Sequence, residues 1–161
     1  LTPATAVLAL TIYRQRDLIK KNFITITIAT LVGSLTSIIS VVALCKLFAL
    51  SDTLTYSLIP KSITTPMAIA VSSSLGGIQS ITVLTVIITG VSGNILAPLL
   101  IKLFKVDDPL VQGVALGTSS HAIGTSKAVE LGEIQGAVSS VALTFTGIIT
   151  VILSLFVTYF I

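Results

Sequence analysis

The sequence predicts an all-α integral membrane protein, a multi-span helical bundle with two broken or re-entrant segments in an inverted repeat. Three observations predict it. The chain of 161 residues is 53% hydrophobic and only 9% charged, with a mean hydropathy of +1.08; a soluble domain carries about 25% charged residues. Three long runs contain no Asp, Glu, Lys or Arg. Two polar segments interrupt the apolar pattern, and irregular backbone persists at membrane depth only where protein or a water-filled cavity satisfies its polar groups.

In chain order, residues 1–13 are too short to span and read as the end of a longer element or half of a broken helix. The chain opens without Met, so a fragment lacking N-terminal helices is expected. The first residues lack the basic region and cleavage site of a signal peptide. Arg14, Arg16, Lys20 and Lys21 form one basic cluster, and Lys102 and Lys105 another. The net charge of +3 makes no stripe of the kind that binds nucleic acid. It reads instead as a topology signal, because cytoplasmic loops carry excess Lys and Arg. Residues 23–45, 78–101 and 134–161 are the uncharged runs, each longer than the ~20 residues that cross the hydrocarbon core. Their many hydroxyls, such as Thr30, Ser34, Ser37 and Ser40, can bond the preceding turn or a neighbouring helix. Gly33/Ser37 and Gly90/Asn94 favour close helix packing. Cys45, the lone cysteine, reads as a packing residue.

The first broken segment is Pro60-Lys61-Ser62-Ile63-Thr64-Thr65-Pro66. Neither proline can donate a backbone hydrogen bond, so a helix is interrupted there, and Met67 to Leu75 reads as a half-helix. Its N-terminus would present free N–H groups and partial positive charge to an anion. Lys61 is an ionisable group inside a membrane, which is by default a functional candidate, with snorkelling to the surface as its alternative. The second segment is Gly117-Thr118-Ser119-Ser120-His121-Ala122-Ile123-Gly124-Thr125-Ser126-Lys127. His121, the single histidine, can hold a carboxylate or relay a proton, since its ordinary pKa is near neutral, or can simply be satisfied by local hydroxyls. Lys127 would begin the second half-helix. It either reaches the same cavity or pairs with Glu130 at i, i+3. The expected substrate site is Lys61, Ser62, Thr64, Thr65, Ser119, Ser120, His121, Thr125 and Lys127.

The two segments align with each other when gaps are allowed, best at Leu75-Gly76-Gly77-Ile78-Gln79 against Leu131-Gly132-Glu133-Ile134-Gln135. The repeat covers approximately residues 56–105 and 109–161 of a single domain, residues 1–161. If residues 14–21 are cytoplasmic and residues 56–77 are re-entrant, Lys102 and Lys105 are cytoplasmic too, in line with the charge rule. Hairpins would then dip from opposite faces, as in many secondary transporters. Full crossing by broken helices stays open, because ~22 residues can do either.

Enzyme motifs are weak. Ser119, Ser120 and His121 are neighbours in sequence, but a catalytic triad is defined by geometry and an acid partner. No His or Cys stands at zinc-ligand spacing, and no P-loop or dinucleotide fingerprint is present. No metal site or cofactor is expected, although coupling to a proton or sodium ion is. An intramembrane hydrolase using Ser120 and His121 is the remote third class, behind a transporter and an interaction protein.

The same motifs carry a resemblance. Leu58-Ile59-Pro60-Lys61-Ser62-Ile63-Thr64-Thr65-Pro66-Met67-Ala68, Asp107-Asp108-Pro109, and the run from Ala115 through Ser119-Ser120-His121-Ala122-Ile123-Gly124-Thr125 to Ala128 resemble the LrgB/CidB family of integral membrane proteins. Leu131-Gly132-Glu133 and Gln135-Gly136-Ala137 extend the match over nearly the whole chain, without the family's usual N-terminal hydrophobic region. The resemblance implies two functions. One is antiholin-like modulation of murein hydrolase export and autolysis with a small holin-like membrane partner. The other is transport of small carboxylates, as in plastid glycolate/glycerate translocators and bacterial relatives linked to pyruvate uptake. The residues favour transport of a small 2-oxo or hydroxy monocarboxylate, because a simple pore or regulator does not need a cationic midplane site. The expected setting is the bacterial cytoplasmic membrane, with the plastid inner envelope as alternative, as a homo-oligomer in the bilayer and without nucleic acid.

Overall fold

The computed structural model describes residue 10 and residues 12–157. Among them every regular element is helical: α1 Arg16–Lys21, α2 Phe23–Leu47, α3 Asp52–Leu58, α4 Thr65–Leu75, α5 Gln79–Leu103, α6 Pro109–Leu131 and α7 Glu133–Val157. The expectation for residues 1–13 falls almost wholly outside the described residues, as does that for residues 158–161.

The three uncharged runs become α2, α5 and α7. Each has 25 residues and is long and apolar enough to cross a membrane, about 37 Å at 1.5 Å per residue. The protein is therefore an all-helical integral membrane protein. Large apolar side chains cover the outer faces, among them Ile24, Ile28 and Ile39 of α2, Leu84, Ile95 and Leu99 of α5, and Ile152 and Leu155 of α7. In a bilayer those faces lose nothing by meeting lipid, so the core can be small. Cys45 is 3% exposed and packs with Ile38, Val41, Ile59 and Val157.

α2 and α5 end in the same way. Lys46-Leu47-Phe48 and Lys102-Leu103-Phe104 each lead into a left-handed residue, Ala49 at φ 50° and Lys105 at φ 51°. The Leu50 N–H then donates to the Cys45 carbonyl at 2.9 Å, and the Val106 N–H to that of Ile101 at 3.0 Å. Both close the last turn with a six-to-one bond that satisfies an otherwise orphaned carbonyl. The next helices start on side-chain caps: Ser51 Oγ accepts from the Leu54 N–H at 3.4 Å, and Asp108 Oδ1 from the Leu110 N–H at 2.8 Å, with Pro109 in the first turn.

Contacts set the directions. Ile26 near the start of α2 packs with Ala137 and Val138 near the start of α7, while Ile38 and Val41 meet Val157 near its end. These two helices therefore run the same way. α5 runs oppositely: its leading Ile78 N–H donates to Ser57 Oγ at 2.7 Å, and its final turns face Val111 and Gln112 at the entry to α6. Lys102 and Lys105 thus lie at the end of the bundle where Arg14 approaches Glu133 at 4.0 Å.

Both broken segments reverse the chain. After α3, Pro60 to Ile63 turn and Thr64 takes an extended φ/ψ before α4. Ser57 and Ser72, on the two arms, converge on Thr82: its Oγ1 lies 3.0 Å from the Ser57 carbonyl and 2.7 Å from Ser72 Oγ. α6 is interrupted at Ser120 (φ −131°, ψ 18°) and His121 (φ 42°, ψ −139°). Its arms fold together so closely that a Cβ on Gly124 would come within 2.8 Å of the Leu116 carbonyl. In a straight helix those residues would stand about 12 Å apart. Gly113 and Gly117 of the first arm, and Thr125 and Val129 of the second, all pack on residues 135–142 of α7.

Candidate functional site

Helix α2 carries a ladder of hydroxyls, and most are spent within the helix. Thr30 Oγ1 donates to the Ile26 carbonyl at 2.9 Å, Ser34 Oγ to that of Thr30 at 2.8 Å, and Ser40 Oγ to that of Ser37 at 2.9 Å. Ser37 is different. Its Oγ lies 3.2 Å from Ser62 Oγ on the turn between α3 and α4, and Lys61 Nζ donates to the same Ser62 Oγ at 3.3 Å. One turn away, Gly33 gives passage to the first arm of α6: a Cβ there would meet Thr118 Cγ2 at 2.6 Å.

These approaches border a cavity of about 410 Å³, open on its outer side, between α2, the α3–α4 turn and the first arm of α6. Gly33, Thr36, Ser37 and Ser40 line it from α2, Lys61 and Ser62 from the turn, and Val114, Ala115, Thr118 and Ser119 from α6. Lys61 is its single charged side chain. Among the described residues the ion pairs are Arg14–Glu133, Arg16–Asp17 and Lys127–Glu130, so Lys61 faces the cavity without a carboxylate partner. An ammonium half-withdrawn from solvent and surrounded by hydroxyls suits a small anion, since a charge-assisted bond is about twice as strong as a neutral one.

The expected site residues divide. Lys61, Ser62 and Ser119 share the cavity. His121 does not line it. The imidazole is 3% exposed and its Nε2 lies 2.8 Å from the Val86 carbonyl of α5, which fixes Nε2 as the donor. The ring fits against Gly90, where a Cβ would meet its Cε1 and Nε2 at 2.6 Å. Val86 also packs against Ile63, so the two turns meet around this one residue. Ser120 Oγ lies 3.0 Å from Ser119 Oγ and abuts Gly93; no His121–Ser120 pair of the nucleophile–base kind forms. Thr125 Oγ1 lies 2.9 Å from both the His121 carbonyl and Ser139 Oγ. Thr64 caps α4 by backbone conformation alone, with no side-chain cap bond, and Thr65 is its first residue; both are half-buried and outside the cavity lining. Lys127 lies within the second arm rather than starting it, because the helix resumes directly after His121 with no proline to delay it. Its Nζ donates to Glu130 Oε2 at 2.7 Å, the i, i+3 pair.

Sequence reasoning missed the contribution of α2. Its one signal was the Gly33/Ser37 pair, read as close packing. Ser37 is where α2 touches the first turn and Gly33 where it meets the first arm of α6, while Gly90 and Asn94 of α5 both meet the residues at the second break, with Asn94 Nδ2 donating to the Ile123 carbonyl at 3.2 Å.

A family model, the LrgB-like family, matches residues 1–160. The chain is 43% identical over 149 residues to YxaC of Bacillus subtilis (strain 168), covering 92% of this chain and 65% of that protein. It is 39% identical over 150 residues to YwbG of the same organism, covering 93% and 67%. It is also 39% identical over 152 residues to the antiholin-like protein LrgB of Bacillus cereus (strain B4264), covering 94% and 66%. The chain thus spans about two thirds of the length of the curated relatives it matches. No solved structure matches it.

Proposed function

We propose that this chain, which belongs to the LrgB-like family, forms the transport core of a secondary carrier for small monocarboxylates of the glycolate, glycerate and pyruvate kind. The observation that carries this reading is Lys61: an ammonium without a carboxylate partner among the described residues, in a hydroxyl-lined cavity at a break between helices. In this reading Lys61 Nζ holds the carboxylate, and Ser37 and Ser62 hold its second oxygen or the 2-oxo or 2-hydroxy group, with Ser119 at the rim of the same cavity. Thr64 and Thr65 present the N-terminal turn of α4 to the same anion during the cycle. His121, Ser120 and Thr125 hold the second turn in place. The α3–α4 and α6 hairpins dip from opposite faces as re-entrant arms of an inverted repeat. Supporting this are the reversal at each break and the opposite run of α5 against α2 and α7. Binding-site backbone broken at mid-depth is the recurring plan of such carriers. The carrier sits in a bacterial cytoplasmic membrane, works as a homo-oligomer and couples to a proton or sodium ion.

The alternative is an antiholin-like modulator of murein hydrolase export acting with a small holin-like membrane partner, and the name of the Bacillus cereus relative favours it. Uptake of labelled carboxylate by the full-length protein in proteoliposomes, with and without that partner, separates the two. A charged hydrogen bond contributes on the order of 1.5–3 kcal/mol, so Lys61→Gln should weaken carboxylate affinity roughly tenfold to a hundredfold while the protein still inserts. Unchanged affinity at normal expression would return Lys61 to the role of a snorkelling surface charge. No saturable uptake by the wild type would leave the interaction protein.

A further inference from the structure

Of the hydroxyl side chains that line the Lys61 cavity, all but one are already engaged. Thr36 Oγ1 donates to the Val32 carbonyl at 2.8 Å, Ser40 Oγ to that of Ser37 at 2.9 Å, and Ser119 Oγ to that of Ala115 at 2.8 Å. Ser37 and Ser62 bond each other at 3.2 Å. Thr118 is the exception. It lines the cavity from the first arm of α6 and is 8% exposed, yet its Oγ1 is buried with no hydrogen-bond partner among the described residues. Other buried threonines return this bond to the preceding turn, as Thr30 does to Ile26. A buried hydroxyl left unpaired carries a desolvation penalty, and a ligand oxygen that meets it removes that penalty. The position suits a ligand anchored at Lys61. Ser62 and Lys61 reach α2 at Ser37, and the Thr118 methyl faces α2 at Gly33. Gly33 and Ser37 are one helical turn apart, about 6 Å. A threonine in a helix divides between two χ1 rotamers, and one step of χ1 carries the hydroxyl to the place the methyl holds, beside Gly33 and the cavity.

We propose that Thr118 is the specificity-determining residue of the Lys61 site: its hydroxyl binds the 2-oxo or 2-hydroxy oxygen of an acid whose carboxylate Lys61 holds, and Ser37 and Ser62 are left to the second carboxylate oxygen. The inference rests on Lys61 being a carboxylate site, and it narrows the ligand class to acids that carry an oxygen on the neighbouring carbon. A hydroxyl both donates and accepts, so it serves the 2-oxo and the 2-hydroxy group alike. Acids without that oxygen leave Thr118 unpaired and bind more weakly, by roughly three- to tenfold for one neutral hydrogen bond. Thr146 supplies the control. Its Oγ1 is also buried without a partner among the described residues, but Thr146 does not line the cavity.

The test uses purified full-length protein and the sodium salts of glycolate, acetate, pyruvate and propionate, two pairs of equal carbon number. Two readouts are taken: the ligand-dependent shift in melting temperature, which needs no transport, and competition against labelled pyruvate uptake in proteoliposomes. The wild type should prefer glycolate to acetate, and pyruvate to propionate, by roughly three- to tenfold. Thr118→Val keeps the shape and removes the hydroxyl, so it should bring each pair to equal affinity while acetate binding stays unchanged. Thr118→Ala, which adds no bulk, reads the same loss should the valine variant fail to fold, and Thr118→Ser should keep the preference. Thr146→Val should keep it too. Both valine variants should raise the melting temperature of the ligand-free protein, because each removes an unpaired buried hydroxyl. Lys61→Gln should weaken all four acids by one common factor. No preference in the wild type, or a preference that survives Thr118→Val and Thr118→Ala, overturns the role of Thr118 and leaves the carboxylate site standing. Loss of the preference in Thr146→Val as well overturns it too, because the effect then follows the bundle rather than a contact with the ligand. Binding without uptake removes the transport reading and keeps Thr118 as the selector. Absence of binding by all four acids removes both readings.

Discussion

Replacing Gly90 by Ala should damage the contact that holds the second hairpin on α5, and its sign should reverse once the His121 ring is gone. The new methyl would stand 2.6 Å from His121 Cε1 and Nε2 and 2.8 Å from Ile123 Cδ1. Either α5 shifts outward or the imidazole moves, and both loosen the 2.8 Å bond to the Val86 carbonyl. Overpacking of this kind costs about 1–3 kcal/mol, and a lost interhelical bond in a membrane bundle costs about 0.6 kcal/mol. Against this, Ala is better than Gly inside a helix by roughly 0.5–1 kcal/mol. The net expectation is a loss of about 1–3 kcal/mol. In a His121→Ala background the overlap with the ring and its bond are absent, and the Ile123 Cδ1 contact, the far end of a flexible side chain, yields into the space the ring leaves, so the helix preference dominates and Gly90→Ala should stabilise slightly. A double-mutant cycle by equilibrium unfolding in mixed micelles reads this directly. Equal effects of Gly90→Ala in the two backgrounds would refute the argument, because the penalty would then have nothing to do with the ring.

Two further outcomes are expected. Single cysteines replacing Lys20 and Lys105, in a Cys45→Ser background, should react with an impermeant maleimide from the same side of the membrane; labelling from opposite sides would overturn the directions assigned to α2 and α5. Lys127→Gln should leave carboxylate affinity unchanged and cost no more than about 0.5 kcal/mol, the usual worth of an exposed helical ion pair; a tenfold loss of affinity would bring Lys127 into the substrate site.

The sequence alone determined the parts of this protein that depend on local chemistry. Uncharged runs longer than a bilayer became α2, α5 and α7, because transfer from water to lipid is summed residue by residue. Pro60 and Pro66 marked the first break, because a proline removes its own N–H whatever surrounds it. The second break was legible only as a polar stretch, and its exact turn at Ser120–His121 carries neither proline nor glycine. A histidine is held at φ 42° there because its ring is locked to Val86 from outside the segment. The repeat of Lys-Leu-Phe at the ends of α2 and α5 was equally present in the sequence, yet it gained meaning only when both proved to close with the same left-handed turn. Tertiary structure decided which hydroxyls reach beyond their own helix. Thr30, Ser34 and Ser37 look alike along α2, but the first two bond their own helix while Ser37 reaches Ser62. It also separated Lys61 from Lys127, leaving one ammonium in a cavity and giving the other a carboxylate. A side chain's chemistry is written in its own residue, whereas its partner is set by which helices meet, and close approach at Gly33 and Gly90 is a property of two chains of atoms at once.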